Sequence, residues 1–322
     1  MKLSIAFQTN KTAAAYIALA QQVDQYDFDA VTVYNDAPFH PAYSALLLMA
    51  PHITRARIGP ATVQPARIHP IDIAAHAALL ETIAPGRTYI GLSRGAWLEA
   101  HGITPEAKPI TAIRDAVSIV RYLLHGETGG YTGEMYSLAE HVRAPYPLPD
   151  AVPPILIGTW GPKLAKIAGE VADEVKIGGS ANPDFIPVMH DYIGNPDVGV
   201  VIGAVCVVDE DREQARALAR REVALYLPVV AKLDSTINVE PELAERIQLH
   251  VEAGDSAAAG ALISDDLLDR FAFSGNPADL IAQCERLRDA GANRVELGTP
   301  HGLQPAEGIR LLGEKVVPAL RQ

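Results

Sequence analysis

The stretch spanning residues 153–179, PPILIGTWGPKLAKIAGEVADEVKIGG, constrains the fold more than any other part of the chain. It reads as strand, glycine turn, helix and strand. Pro154-Ile155-Leu156-Ile157 is a short apolar run, followed by the turn Gly158-Thr159-Trp160-Gly161. Pro162 suits the first turn of a helix, where its missing N–H removes no hydrogen bond. Leu164, Ile167, Ala168 and Val171 then recur at helical spacing. Glu174-Val175-Lys176-Ile177 begins a second strand, which stops at Gly178-Gly179-Ser180. A glycine turn feeding a helix leaves several amides without partners. With the helix dipole behind them they favour an anion, most often a phosphate. The plainer reading, that the glycines only permit a tight turn, has equal standing for one such unit. The rest of the chain repeats the unit.

Strand patterns fall at residues 3–7, 30–34, 57–63, 88–92, 154–157, 174–177, 198–208 and 294–297, with helical patterns between them. Asn276 caps the helix that begins at Pro277. Eight βα alternations predict parallel strands joined by right-handed crossovers, and eight is the count of a closed (β/α)8 barrel. An open doubly wound sheet would more often carry G-x-G-x-x-G after its first strand. Here that turn is Gln8-Thr9-Asn10. The expected fold class is therefore α/β, a (β/α)8 TIM barrel formed by residues 1–322 as one domain. Segments 126–152 and 228–274 hold the residues beyond a typical barrel, the first as a loop with a small hairpin and the second as short helical pieces.

The net charge of -12 argues against nucleic acid and against an anionic membrane surface, both of which need clustered Lys and Arg. The first apolar run is too short for a signal peptide, and none approaches ~20 residues. We expect a cytoplasmic protein. Cys206 and Cys284 read as buried free thiols.

In a barrel, working groups lie just after each strand, at the C-terminal mouth. Those positions hold Gln8 and Asn10, Asn35 and Asp36, Ala61-Thr62-Val63-Gln64, Ser93-Arg94-Gly95, Thr159-Trp160-Gly161, Gly178-Gly179-Ser180 and Thr299-Pro300-His301. The chain has no H-E-x-x-H, no Cys/His cluster at metal-ligand spacing and no phosphate-binding G-x-x-x-x-G-K-[ST] loop. No metal is expected. Few acid–base groups among several glycine turns suit a cofactor that carries the chemistry itself, acting on a small-molecule substrate. Asp36 is either a helix N-cap or a proton-handling group. His40, His69 and His301 read first as loop or capping residues. Arg94 either pairs with Glu99 or meets an anion, and Trp97 and Trp160 either pack or wall a flat ring.

Several stretches carry a family likeness: Ile58-Gly59-Pro60-Ala61-Thr62-Val63-Gln64-Pro65, Pro85-Gly86-Arg87-Thr88-Tyr89-Ile90-Gly91-Leu92, Pro109-Ile110-Thr111-Ala112-Ile113-Arg114-Asp115-Ala116, Gly158-Thr159-Trp160-Gly161-Pro162 and Phe273-Ser274-Gly275-Asn276-Pro277. In order and spacing the chain resembles the bacterial-luciferase-like flavin/deazaflavin oxidoreductases. Within them it is most similar to the methylene-tetrahydromethanopterin reductase branch, which uses coenzyme F420. The resemblance implies a homodimeric barrel with a deazaflavin across its mouth and hydride moving between C5 and a substrate. It implies a non-prolyl cis peptide joining Ala61 and Thr62 against the ring. It places the cofactor against Asp36, Ala61, Thr62, Val63, Gln64, Ser93, Arg94, Gly95, Gly158, Thr159, Trp160, Gly161, Gly178 and Gly179, its phosphate in the two glycine turns. Asp36 is the expected proton-handling group, with His40 in reserve.

The chain departs from that branch at Ala6, Ala37 and Ala96, where the reductases carry two acidic residues and the His of an Asp-His pair. An imine, enone or alcohol thus stands beside a pterin-like substrate. Two rivals remain: an FMN-dependent luciferase-like monooxygenase, and a non-catalytic cofactor-binding barrel.

Overall fold

Alternation of strands with helices demands parallel pairing through crossovers, and the computed structural model, which describes residues 1–321, has it. In chain order the strands are β1 (Lys2–Phe7), β2 (Ala30–Val33), β3 (Arg57–Pro60), β4 (Ile90–Ser93), β5 (Tyr131–Thr132), β6 (Ser137–Leu138), β7 (Ile155–Gly158), β8 (Glu174–Gly178), β9 (Gly199–Val208), β10 (Ala272–Gly275) and β11 (Arg294–His301). The main sheet runs β3-β2-β1-β11-β9-β8-β7-β4, all parallel. Bridges Ile58–Thr88 and Val63–Leu92 join its two ends, where the Val63 amide donates to the Gly91 carbonyl at 2.9 Å. The sheet is thereby closed as an eight-stranded barrel. Between the bridges the chains crowd. A Cβ on Gly59 would stand 2.5 Å from the Tyr89 carbonyl oxygen, and one on Gly91 would overlap that of Pro60.

Side chains alternate across each strand. Leu3, Ile5 and Phe7 of β1, Val175 and Ile177 of β8, and Val295 and Leu297 of β11 face the helices and build the main apolar core. The other face turns into the barrel, where Tyr89, Leu156 and Val201 pack together. Ions share that interior. Lys176 pairs with Glu296, and Arg294 reaches Glu174 at 2.7 Å. The Tyr89 hydroxyl bonds Thr32 Oγ1 at 2.8 Å and donates to the Gly59 carbonyl at 3.0 Å. The Lys176 ammonium also stands 5.1 Å from the centre of the Tyr34 ring, beneath the mouth.

Helix boundaries follow their local chemistry. Thr12 caps the first helix by accepting from the Ala15 amide, and Asn276 with Asp279 forms a reciprocal capping box on Pro277–Asp289. The 126–152 segment contains the expected hairpin, β5 with β6, pinned by Asp115, whose carboxylate accepts from the Met135 amide at 2.6 Å. In the 228–274 segment one reading needs correction. Residues 272–275 are not helical: they form β10, parallel to the outer half of β9, with Ala272 opposite Val205. The apolar Ala-Phe pair was too short to signal a strand until β9 offered an edge. Both cysteines are free and buried. Among the described residues no helix is long and apolar enough to cross a membrane.

Candidate active site

The floor of the mouth is built where β3, β4 and β7 end. The peptide between Ala61 and Thr62 is cis, as the resemblance implied. Thr62 Oγ1 donates to Ser93 Oγ at 2.5 Å. Gly158 faces this hydroxyl pair: a Cβ there would lie 3.3 Å from both Thr62 Cγ2 and Ser93 Cβ. Behind the floor, Gln64 Nε2 donates to the Thr62 carbonyl at 2.7 Å, and Asn35 Nδ2 donates to Gln64 Oε1 at 3.0 Å. Arg67 donates to the Asn35 carbonyl and, at 3.2 Å, to Gln64 Oε1. Gly95, at φ +90, lies against Gln64, where any side chain would collide. Val63 is fully buried, so it shapes the floor through its backbone. The result is a polar shelf of hydroxyls and amides, with the Arg67 guanidinium bonded behind it.

The loops after β1 and β2 form one rim. Asp36 is exposed, and its carboxylate accepts from Gln8 Nε2 at 3.0 Å. It caps no helix, because the helix Ala42–Met49 starts after Pro41. The capping alternative for Asp36 therefore falls. His40, also exposed, donates its amide to the Thr9 carbonyl, and its Nδ1 lies 3.4 Å from the Tyr16 hydroxyl. Tyr16 and Lys11 join this rim, although the sequence reading passed over both. Lys11 carried a signal, standing four residues after β1 where Asp36 stands three after β2.

The glycine turns behave differently from one another. In the first, the Thr159 amide is taken by the Lys176 carbonyl at 3.0 Å and the Gly161 amide by Thr159 Oγ1 at 3.1 Å. Gly161 then leads into Pro162–Val171 without a side-chain cap, and the amides of Lys163 and Leu164 have no acceptor among the described residues. A Cβ on Gly161 or Gly178 would meet only open space. In the second turn, both Gly179 and Ser180 donate to the Gly203 carbonyl, at 2.7 and 3.0 Å. The Gly179 and Ser180 amides are therefore already bonded within the fold. Sequence could not show that β9 would bring a carbonyl there. Trp160 packs on Phe185, ring centres 5.0 Å apart, and its indole N–H donates to the Gly178 carbonyl at 3.0 Å. It ties the two turns together.

His69 is the cap of Pro70–Ile83, accepting from the Ile71 amide. His301 is neither cap nor exposed loop. It is 2% exposed, adopts φ +78, and bonds the Ala6 carbonyl through Nε2 at 3.1 Å. Burial pushes its pKa down to about 4. Arg94 makes no ion pair with Glu99 among the described residues and stays exposed, as does Trp97 beside it.

A closed (β/α)8 barrel with a polar shelf at its C-terminal mouth defines a class, and comparison with known proteins gives the family. The luciferase-like monooxygenase family matches residues 2–294, and the chain belongs to it. The chain is 29% identical over 326 residues, covering 95% of each sequence, to 5,10-methylenetetrahydromethanopterin reductase of Archaeoglobus fulgidus. It is 25% identical over 325 residues, 94% of this chain and 91% of the other, to an F420-dependent glucose-6-phosphate dehydrogenase of Kineococcus radiotolerans. The structure of the coenzyme F420 dependent tetrahydromethanopterin reductase of Methanopyrus kandleri superposes with a TM-score of 0.89 at 23% identity, covering 99% of both chains.

Proposed function

We propose that the protein is an F420-dependent oxidoreductase that moves a hydride between the deazaflavin C5 and a small organic substrate. The observation that carries this reading is the polar shelf of Ala61, Thr62, Ser93 and Gly158 beside a helix start with open amides. A flat ring with a phosphate side chain fits such a pair of features. The open space over Gly161 and Gly178 leaves room for it, and the names of the two relatives and the structural neighbour favour F420 over FMN.

A bound deazaflavin supplies the hydride donor or acceptor; the chain's own residues do the rest. Thr62 and Ser93 would meet the ring with their hydroxyls, and the free amides of Lys163 and Leu164 would hold its phosphate. Asp36, oriented by Gln8, holds or gives up the proton at its carboxylate as the substrate gains or loses charge, and His40 lies on the same rim. Ala6 is fully buried in β1 and Ala96 exposed after β4. Neither offers a carboxylate to a pterin, so an imine, enone or alcohol suits this mouth as well.

We also propose a homodimer in the cytosol. Ile71 and Leu79 stand exposed on the helix Pro70–Ile83, and a groove beside them is lined by Ala75, Ala78, Tyr146 and Pro147. Sedimentation at micromolar concentration is expected to give twice the chain mass.

Titration with F420 and with FMN, followed by ring fluorescence, tests the cofactor. Tight F420 and weak FMN binding is expected. The reverse, with oxygen uptake by the reduced complex, would move the protein to the monooxygenase reading that its family also contains.

A further inference from the structure

We propose that Lys11 is an anion-recognition residue of the mouth, placed to take a carboxylate or phosphate of the bound ligand. This deepens the oxidoreductase reading and rests on it only for where the ligand lies.

Several enclosed cations have carboxylate partners. Arg294 pairs with Glu174, Lys176 with Glu296, Arg216 with Asp265 and Asp269, and Arg270 with Asp184. Arg67 behind the shelf, in contrast, donates only to the neutral oxygens of Asn35 and Gln64. Lys11 is half-buried and likewise has no carboxylate partner among the described residues. Its ammonium donates to two neutral oxygens, the Gln8 carbonyl at 2.9 Å and Asn10 Oδ1 at 2.8 Å. An ammonium has three N–H donors, so one remains, with the whole charge. Enclosure strips water from it and lowers its pKa below the ordinary lysine value. A partly desolvated charge without a counter-ion gains most from meeting one.

Its place makes the counter-ion a ligand. The Lys11 amide is tied to the Tyr16 hydroxyl at 3.2 Å, and Gln8, whose carbonyl holds the ammonium, spends its own side chain on Asp36. The end of β1 that precedes Lys11 lies beside β11, where His301 Nε2 bonds the Ala6 carbonyl at 3.1 Å. The ammonium is thus held in the loop after β1, next to the loop of β2 that carries Asp36. The Asp36 carboxylate on the same rim is held by Gln8 rather than by Lys11. On a chain of net charge -12, an unpaired cation at the mouth, like Arg94 after β4, favours anions that the rest of the surface repels.

The anion has two sources, the acidic side chain of F420 or an acidic group on the substrate, and one experiment separates them. Wild type, Lys11→Gln and Lys11→Arg are titrated with F420 and with 5-deazariboflavin, which keeps the ring but has no acidic group. Inorganic phosphate and succinate are assayed in parallel by thermal shift of the cofactor-free protein. Lys11→Gln keeps a donor for the Gln8 carbonyl, and Lys11→Arg keeps the charge. If F420 affinity falls about tenfold in Lys11→Gln and holds in Lys11→Arg, with 5-deazariboflavin unchanged, Lys11 reads the cofactor. If F420 affinity is unchanged, but a stabilisation by phosphate or succinate is lost only in Lys11→Gln, it reads the substrate. Equal weakening of all ligands, or no change in any, overturns the proposal and leaves Lys11 a brace for the β1 loop. Failure of the wild type to bind any deazaflavin would sink the cofactor reading instead, while the phosphate and succinate arm still decides Lys11.

Discussion

Two residues at the mouth show how differently polar groups are used there. Asp36 is exposed and held by a single hydrogen bond from Gln8, so its carboxylate is free to exchange a proton with a substrate. Asp36→Asn keeps the shape and the bond geometry. It is expected to lower turnover about 100-fold or more while changing cofactor affinity by less than about threefold. Retention of full turnover in steady-state assays would remove Asp36 from the chemistry. His301 is the reverse case, buried and kept neutral. Its folded pKa, about 4, lies below the ordinary 6.5. As pH falls from 6.5 towards 4, the unfolded chain takes up a proton that the folded one refuses. Stability is therefore full above pH 6.5 and lost on the way down, by about 2 kcal/mol between pH 7 and pH 5. Asn tolerates the left-handed backbone at this position and does not titrate. In His301→Asn, denaturant midpoints at pH 7 and pH 5 are expected to lie closer together than in the wild type.

At the level of elements, closure depends on glycines rather than on strand propensity. β3 and β4 meet only through the bridges at Ile58 and Val63, and between them Gly91 passes directly over the Pro60 carbonyl. A methyl group at Gly91 must push the strands apart just under the site. Gly91→Ala is expected to cost more than about 3 kcal/mol, as overpacking against backbone does. Gly161→Ala, whose methyl meets open space at an ordinary φ of −94, should stay within about 1 kcal/mol of wild type. Thermal unfolding of the two variants checks the contrast. If both unfold alike, crowding at β3–β4 is not what makes Gly91 necessary.

For the whole molecule, the barrel interior is ionic where a smaller fold would be apolar. Glu296 is fully buried and Lys176 nearly so. Lys176→Met leaves buried Glu296 with only Arg294, whose Nη1 lies 4.0 Å away, and is expected to cost about 3 kcal/mol. The double variant Lys176→Met/Glu296→Leu removes both charges and should recover a large part of that loss. Denaturant titration of the single and double variants decides this. An additive double variant would mean the two charges do not sense each other.

Much of this architecture was written locally. Pro162, Asn276-Pro277 and Thr12 fix where helices start, because caps and first-turn prolines act within four residues of themselves. Apolar alternation fixed the eight barrel strands, and the positions after them held Asp36, Thr62, Ser93 and Gly158, which the barrel gathers at one mouth. What no local pattern decided is which face of a strand becomes the inside. Glu174 and Lys176 alternate with Val175 and Ile177, and Arg294 and Glu296 with Val295 and Leu297. Alone, such a strand reads as half-solvated. Closure of the sheet turns the charged face inward, where the ions of β8 and β11 meet only because β9 sets them side by side. The same long-range pairing brings the Gly203 carbonyl onto the Gly179 amide, and an edge of β9 makes a strand of residues 272–275. A sequence states its caps and periodicities. Which backbone groups remain free to bind, and which charges find partners, is settled only when distant strands pair.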